Sequence, residues 1–582
     1  MRLITPVKVQ NAPVGAKGIA YPSSFLRHQK SSTMYHDEEI IQTPVLIVGG
    51  GIVGLSAVLF LLQQEVVPLL IEKRAGTSVH PRARGFDIRT MELYRSVQVG
   101  EAIREAGKAL APAWGIRTAA SLASALEKVK RGKKKDPAGA LGLEQFVRLS
   151  PESGARCTQD LSEPVLLSAA RDRGADIRFG IELLSFTQYD EGVEAVVVER
   201  DTNIRRLIRA RYLLATDGAK SPVREALGAE TRGPGEISHL LNIYFEADLA
   251  DFVRHREFSI LLVKEPDVKG MLTAINNRDR WVFHLFYDAG IENASAFTEE
   301  RVTRILQRVI GLPDVRVRII SILPWQPTVK VVKEMQHGRV FLAGDAAHVM
   351  TPYGGKGANT GIQDVHNLSW KLAAVIRGTA GPALLSSYQA ERQPIGLANA
   401  LASGKWADRD GLLARHFSVV AGMIGAVLVD KLRQWTGLGK LGSPDRLPGT
   451  AAMIGLPNYR YHSGAIDGGT GKDPRTTALD GRPGTRMLHR WIYRADTRLS
   501  TLDLSGKEFV LFTAATDGIW EAAAVQTGRG LNLRIPVCYL EAAGEALLVR
   551  PDGFVAWRCK QRPARPGMEL EAVLARLLSR GS

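Results

Sequence analysis

The 582 residues are enough for three or four structural units at about 150 residues each. An apolar share of 45% with 23% charged residues marks a globular chain, not a disordered or fibrous one. Lysine and arginine exceed aspartate and glutamate by 76 minus 60, or +16, which suits acidic ligands such as dinucleotides; with no zinc spacing or nucleic-acid motif beside that charge, neither a metal nor a nucleic-acid partner is expected.

Three distant cysteines, Cys157, Cys538 and Cys559, argue against a disulfide framework and for a reducing compartment, the cytoplasm. The uncharged run 40–64 is explained by glycines in motif spacing, and 417–429 is too short to span a bilayer. No integral membrane segment is expected; 417–429 reads as a buried or subunit-contact helix, which admits a homodimer.

Residues 1–42 form a basic tail with Arg2, Lys8, Lys17, Arg27 and Lys30, no acid before residue 37 and no apolar signal core. It is expected to be disordered or to precede the natural start at Met34. Residues 45–48 predict a strand, Gly49, Gly51 and Gly54 a GxGxxG turn, 55–63 a helix and 68–71 a second strand ending at Glu72 and Lys73. That strand-turn-helix-strand context with an acid about twenty residues on is what a dinucleotide fingerprint requires. Its glycines admit a pyrophosphate at the helix N-terminus, and Glu72 accepts from ribose hydroxyls. Gly437, Gly439 and Gly442 repeat the spacing without the flanking strands and are rejected, as is the P-loop-like 468–472, where Asp473 replaces Ser or Thr.

Residues 80–107 read as a basic loop feeding an amphipathic helix with Met91, Leu93, Tyr94 and Val97. The run from Lys128 to Lys135 reads as a solvated loop. At 212–224 a strand ends in Asp217-Gly218 and a helix capped by Ser221 begins. From about 237 to 332 the texture alternates, predicting an antiparallel sheet inserted between the halves of the first domain. Tyr244, Trp281, His284, Phe286 and Trp325 are its candidate pocket residues; His284 has no partnered acid or nucleophile and is given no catalytic role. Residues 339–343 predict a buried strand delivering Gly344-Asp345 to the end of the sheet. The glycine-rich stretch 352–361 follows, and then a helix from about Ile362 with Val365, Leu368, Leu372 and Val375 on one face. The helix N-terminus would stabilise an anion at that stretch. After a Gly/Pro-rich connection, strands are predicted at 509–512 and 535–540, with a hairpin at Pro551-Asp552-Gly553.

The segment GDAAHVMTPYGGKGANTGIQD (344–364) resembles the second FAD-binding motif of the group A flavoprotein monooxygenases, the family of para-hydroxybenzoate hydroxylase, phenol hydroxylase and the aromatic polyketide hydroxylases. YLLATDGAKSPVR resembles the family's DG motif. HPRA at 80–83 and Gln159 resemble FAD-contacting segments of the polyketide hydroxylases; STLDL and LVRPDGFVAWR resemble the thioredoxin-like C-terminal domain of this group. The resemblance implies an α/β fold in which a Rossmann-like FAD-binding domain (43–230 and 336–410) carries an inserted antiparallel substrate sheet (231–335), followed by a helical and Gly/Pro-rich connection (411–485) and a thioredoxin-like domain (486–582). It implies that Gly49, Gly51, Gly54, Glu72, Lys73, Arg82, Gln159, Asp217, Gly218, Gly344, Asp345, Gly357, Ala358 and Asn359 hold FAD. Pro352, Gly354 and Gly355 then form the flavin-ring environment, with no protein acid or base assigned.

Tyr353 and Lys356 are unusual in this loop and are expected to tune substrate or flavin position. The activity implied is NADPH- or NADH-driven hydroxylation of a phenolic or polycyclic polyketide substrate by O2, through a hydroperoxide at flavin C4a. Baeyer-Villiger insertion or antibiotic inactivation on the same scaffold is the alternative, and a flavin-binding protein without oxygenase activity the remote one.

Overall fold

A computed structural model describes residues 40–110, 115–127, 148–414, 455–468, 476, 478–494 and 496–580. The basic run 128–135, the helix expected at 417–429 and the rejected GxGxxG copy at 437–442 lie outside them. Ile40–Val48 is the centre of the first sheet. It pairs in parallel with Leu69–Glu72 on one side and Arg205–Ala215 on the other, and Asp176–Phe179 and Val340–Leu342 extend the parallel set. Both faces are covered, so residues 45–48 are a continuous apolar run, not an alternating one. The helices Ile52–Gln63 and Lys356–Ile376 pack on each other beside it. Because Ile40, Ile41 and Gln42 pair with Leu207, Ile208 and Arg209, they belong to the sheet and not to the expected tail. The chain leaves this sheet at Ala215 and returns to the same edge at Val340, making the intervening residues an excursion.

That excursion builds a six-stranded sheet in the order Arg318–Trp325, His239–Glu246, Arg280–Tyr287, Lys269–Ala274, Ile260–Lys264, Ile116–Ala119. Its last strand pairs in parallel and comes from upstream of residue 231, so the sheet is not made of 231–335 alone, as the sequence implied. Alternation separates its faces. Leu241, Ile243, Phe245, Trp281, Phe283 and Leu285 pack outward, in one core with Val302, Leu306 and Val309 of the helix Glu299–Ile310. Residues between them face the first domain. Three short strands, Thr231–Glu236, Thr328–Val332 and His348–Val349, join the two bodies.

The C-terminal unit is a four-stranded sheet in the order Val537–Tyr539, Val510–Thr513, Ala546–Val549, Val555–Cys559, the first pair parallel and the others antiparallel. With the mutually packed helices Ile519–Leu531 and Pro566–Leu577 it has the thioredoxin-like arrangement. The predicted hairpin turn is present, with Gly553 at φ +79. No helix among the described residues is long and apolar enough to cross a membrane.

Candidate functional site

At the carboxyl end of the first sheet, backbone crowding requires two of the fingerprint glycines. A Cβ on Gly49, at φ +109, would sit 2.5 Å from the Thr216 carbonyl oxygen, and one on Gly54 would sit 2.0 Å from that of Gly49. A Cβ on Gly51 would meet only Glu163 Oε1, at 3.7 Å, so no side chain but Glu163, which takes the Ile52 N–H, stands at the N-terminus of Ile52–Gln63, where the helix dipole favours an anion. Glu72 accepts from the Gly50 N–H at 2.7 Å and the Arg74 N–H at 2.9 Å, one per oxygen, leaving lone pairs for hydroxyl donors. Lys73 is exposed beside it.

Gln159 opens the helix Gln159–Arg171, and its amide donates to Glu163 Oε1 at 2.6 Å. Glu163 also accepts from the Ser78 N–H at 2.7 Å and is 1% exposed; burial pushes its carboxyl upward against these hydrogen bonds and one from the Ile52 backbone. The sequence reading missed Glu163. Its signal is the four-residue spacing from Gln159, which puts both on one helix face.

The two strand-end aspartates carry unused acceptors. Asp217 Oδ2 accepts from the Val223 N–H at 3.1 Å, but its buried Oδ1 has no partner among the described residues, and burial raises its pKa. Gly218, at φ +87, has nothing within 4 Å of a Cβ. Ser221 caps its helix through the Arg224 N–H at 3.0 Å, and Arg224 ties the two turns together, donating to the carbonyls of Ala219 at 2.7 Å and Ala346 at 3.2 Å. Asp345 is exposed to the cleft; the surrounding protein raises its carboxyl, opposed by the charges of His348, Arg82 and Arg224. Arg82 is lowered first by burial and then by Arg74, and lies within electrostatic reach of Asp345 and Glu163.

The glycine-rich stretch differs from expectation, because the helix begins at Lys356 and not near Ile362. Its glycines are packing positions as well as loop positions: a Cβ on Gly361 would lie 2.8 Å from the Gly344 Cα. A Cβ on Gly357 would approach Asp345 Oδ1 to 4.0 Å, whereas Gly355, the helix N-cap at φ +63, has nothing within 4 Å. Pro352, Gly354 and Gly355 are exposed, and Ala358 packs half-buried on the core. Asn359 bridges protein segments, donating to the Gly355 carbonyl at 2.7 Å and accepting from the Asp87 N–H at 3.0 Å. Tyr353 is an anchor, not a free hydroxyl. It donates to the Gly411 carbonyl at 2.7 Å and packs with Leu240, Leu262 and Met271 of the six-stranded sheet.

The inner face of that sheet forms the floor opposite this loop. Pairing register sets Trp325, Leu240 and Phe286 in one cross-strand row, Leu323, Asn242, His284 and Met271 in the next, and Ser321, Tyr244, Val282 and Thr273 in a third. Tyr244 and His284 therefore lie on the floor, though the Tyr244 hydroxyl accepts from Arg280 Nε at 2.7 Å. Trp281 does not. Strand alternation turns it to the helix-covered face, where it is 0% exposed and its Nε1 donates to the Ala247 carbonyl at 3.0 Å, so it is core and not pocket. Asn242 and His80, both buried, were missed.

This donor set fits a flavin dinucleotide. Partnerless carboxylate oxygens suit ribose and ribityl hydroxyls, Arg82 and the helix N-terminus suit a pyrophosphate, and the open space at Gly218 and Gly355 admits a flat ring. Residues 42–402 match the family model described as FAD binding domain, and residues 480–581 that of the aromatic-ring hydroxylase C-terminal domain. The chain is 38% identical over 572 residues to a putative polyketide hydroxylase of Streptomyces halstedii, covering 93% of this chain and 97% of that one. It is 38% identical over 577 residues to the tetracenomycin A2 monooxygenase-dioxygenase of Streptomyces glaucescens, covering 93% and 98%. Among solved structures, it resembles the ternary complex of aklavinone-11 hydroxylase with FAD and aklavinone at a TM-score of 0.75 and 31% identity, covering 94% of this chain and 100% of that one. With a continuous cradle for the dinucleotide and relatives aligned over nearly their whole length, the chain belongs to the FAD-dependent aromatic-ring hydroxylases, the group A flavoprotein monooxygenases.

Proposed function

We propose that this enzyme consumes NADPH or NADH and O2 to hydroxylate a polycyclic phenolic substrate of polyketide type. The observation that carries the reading is the floor just described: a broad sheet face whose apolar part, Leu240, Leu262, Met271, Phe286 and Trp325, is held by Tyr353 against the exposed turn at Pro352, Gly354 and Gly355 and continues into a more polar row at Asn242 and His284. That geometry suits a large flat ring system better than a single small phenol. The multi-ring substrates named for the tetracenomycin and aklavinone enzymes support it.

FAD, when bound, supplies hydride acceptance and the activation of oxygen that side chains cannot provide. Glu72, Asp345 and Asp217 would accept from its hydroxyls, Arg82 would neutralise phosphate charge, and the N-terminus of Lys356–Ile376 would stabilise negative charge on the ring. The pyridine nucleotide would dock transiently near Arg82 and Asp217. Tyr353 and the apolar floor exclude water. Residence in the cytoplasm and a homodimer belong to the same proposal.

The test is NADPH oxidation by FAD-loaded protein against simple phenols and against multi-ring hydroxyquinones, with products read by mass and ring position. Acceleration by a multi-ring compound that gains one oxygen on an intact ring supports hydroxylation; a ring-expanded product would assign Baeyer-Villiger insertion instead. If no compound stimulates oxidation, the reading is wrong.

A further inference from the structure

We propose that Asn242, His284 and His80 form a subsite that hydrogen-bonds a phenolic oxygen of the substrate and so sets which ring edge enters; the proposal rests on the hydroxylase reading above. Asn242 and His284 are directly opposed on neighbouring strands of the inner face, in a row completed by Leu323, Met271 and Leu262. Asn242 is 8% exposed and its Oδ1 has no partner, nor has His284 Nδ1. His80 arrives from the loop before Arg82. It is 6% exposed, its ring meets Tyr244 edge-on at 5.7 Å between centroids, and neither of its nitrogens is partnered.

A buried amide or imidazole without a partner is destabilising. Three of them gathered on this face, beside a Tyr244 hydroxyl already taken by Arg280, mark where a ligand supplies the missing hydrogen bonds. The opposite face of the same sheet shows the contrast, since Trp281 there has its N–H satisfied. The chemistry is specific. A neutral imidazole offers one donor and one acceptor, and an asparagine amide offers both, so the group accepts from a phenol O–H and donates to a neighbouring ring carbonyl.

Burial and the charge of Arg82 hold His80 down at about 4, against an upward pull from Asp160. Burial, with His80 and Arg84, holds His284 at about 3. Both rings are therefore neutral at ordinary pH and orient the phenol without taking its proton. Arg84, fixed on Ser259 Oγ at 2.8 Å, adds a positive field that favours electron density on the bound oxygen.

The experiment titrates FAD-loaded protein with 2-hydroxyanthraquinone and 2-methoxyanthraquinone, reading Kd from the change in flavin absorbance. Wild type is expected to prefer the hydroxy compound by about ten-fold or more. His284→Leu should bring the two Kd values together without changing FAD content. Asn242→Leu, on the neighbouring strand, should do the same, and stands as the test should His284→Leu not fold. A preference that persists in both variants overturns the subsite while leaving the hydroxylase reading intact, and so does a wild type that binds both compounds equally. A wild-type flavin that responds to neither compound, with no turnover of either, removes the hydroxylase reading and the subsite with it.

Discussion

His348 Nε2 and Asp364 Oδ2 meet at 2.6 Å with neither side chain exposed. The same carboxylate takes Arg392 Nε at 2.8 Å and the Gly344 N–H at 3.2 Å. A buried ionic group therefore stands directly behind the turn that presents Asp345. Burial opposes the charge on both partners, but His348 and Arg392 hold Asp364 below the carboxylate range, and Asp364 holds His348 above its ordinary value.

Removing one partner of such a pair leaves the other uncompensated, so Asp364→Asn should cost about 3–5 kcal/mol and weaken FAD retention. The raised His348 contributes stability that is complete below its ordinary 6.5 and lost as pH rises through its folded value. The lowered Asp364 contributes stability that is complete above its ordinary 3.8 and lost as pH falls through its folded value. The difference in urea midpoint between wild type and variant should thus be greatest between about pH 4 and pH 6.5 and shrink on either side. A difference flat across pH would show that the pair is not ionised.

A second buried group docks the C-terminal unit. Glu391 accepts from Arg550 at 2.6 and 2.8 Å, from Lys371 at 2.9 Å and from Asn367 at 2.7 Å, with Arg550, Lys371 and Glu391 all 0% exposed. Glu391→Ala strands Lys371, whereas Arg550 keeps Asp552 Oδ1 at 3.0 Å, and should cost about 3–5 kcal/mol. Lys371→Met should be close to neutral, because Arg550 still covers the carboxylate. Burial lowers Lys371 from 10.5 to about 8, so the unfolded chain binds the extra proton between those values and stability rises with pH there. Urea unfolding from pH 8 to 10.5 should show this rise in wild type and its loss in Lys371→Met.

Much of this was legible because strand-end motifs are local. Glu72, Asp217 and Asp345 each follow an apolar run by zero to two residues, and the sheet puts all three at one end. The five strands of the excursion were legible from their alternation. What alternation alone does not say is which face is roofed by helix, and that is why Trp281 was placed in the pocket and Asn242 was passed over. The early start of Lys356–Ile376 was hidden by its glycines, whose low helix propensity reads as loop although Gly361 is needed to approach Gly344. Ile116–Ala119 joins the sheet by a pairing about 145 residues distant, which no local pattern records. Glu163 and Lys371 each have a local partner, Gln159 and Asn367, but Ser78 reaches Glu163, Glu391 reaches Lys371 and Arg550 reaches Glu391 only through the tertiary fold.

Two glycines of the cradle should fail differently. Gly54→Ala places a methyl 2.0 Å from the Gly49 carbonyl oxygen, which only a shift of the strand-helix crossover relieves. It is expected to lower the melting temperature and abolish FAD binding together. Gly355→Ala meets nothing within 4 Å but holds alanine at φ +63, a strain of about 1–2 kcal/mol. It should fold and keep most of its thermal stability while losing activity, because the methyl enters the space beside the flavin. FAD content, melting temperature and turnover measured on both variants separate these outcomes, and equal losses of stability would refute the packing argument.

The two faces of Arg280–Tyr287 should separate stability from substrate choice. Trp281 is fully enclosed and stacked with Phe258 at 6.1 Å, so Trp281→Ala should cost about 3–5 kcal/mol and leave the ratio of Kd values among multi-ring compounds unchanged. Phe286, five residues on, lies half-buried on the floor beside Trp325 and Leu240. Removing it opens space already in contact with the cleft, so Phe286→Ala should cost only about 1 kcal/mol of stability. It should nevertheless weaken three-ring ligands by about ten-fold relative to single-ring phenols, since buried apolar area counts at about 25 cal/mol per Å2 and only the larger ligand reaches across the row. If Trp281→Ala alters that ratio and Phe286→Ala does not, the assignment of faces is inverted and the floor must be sought on the side of Glu299–Ile310.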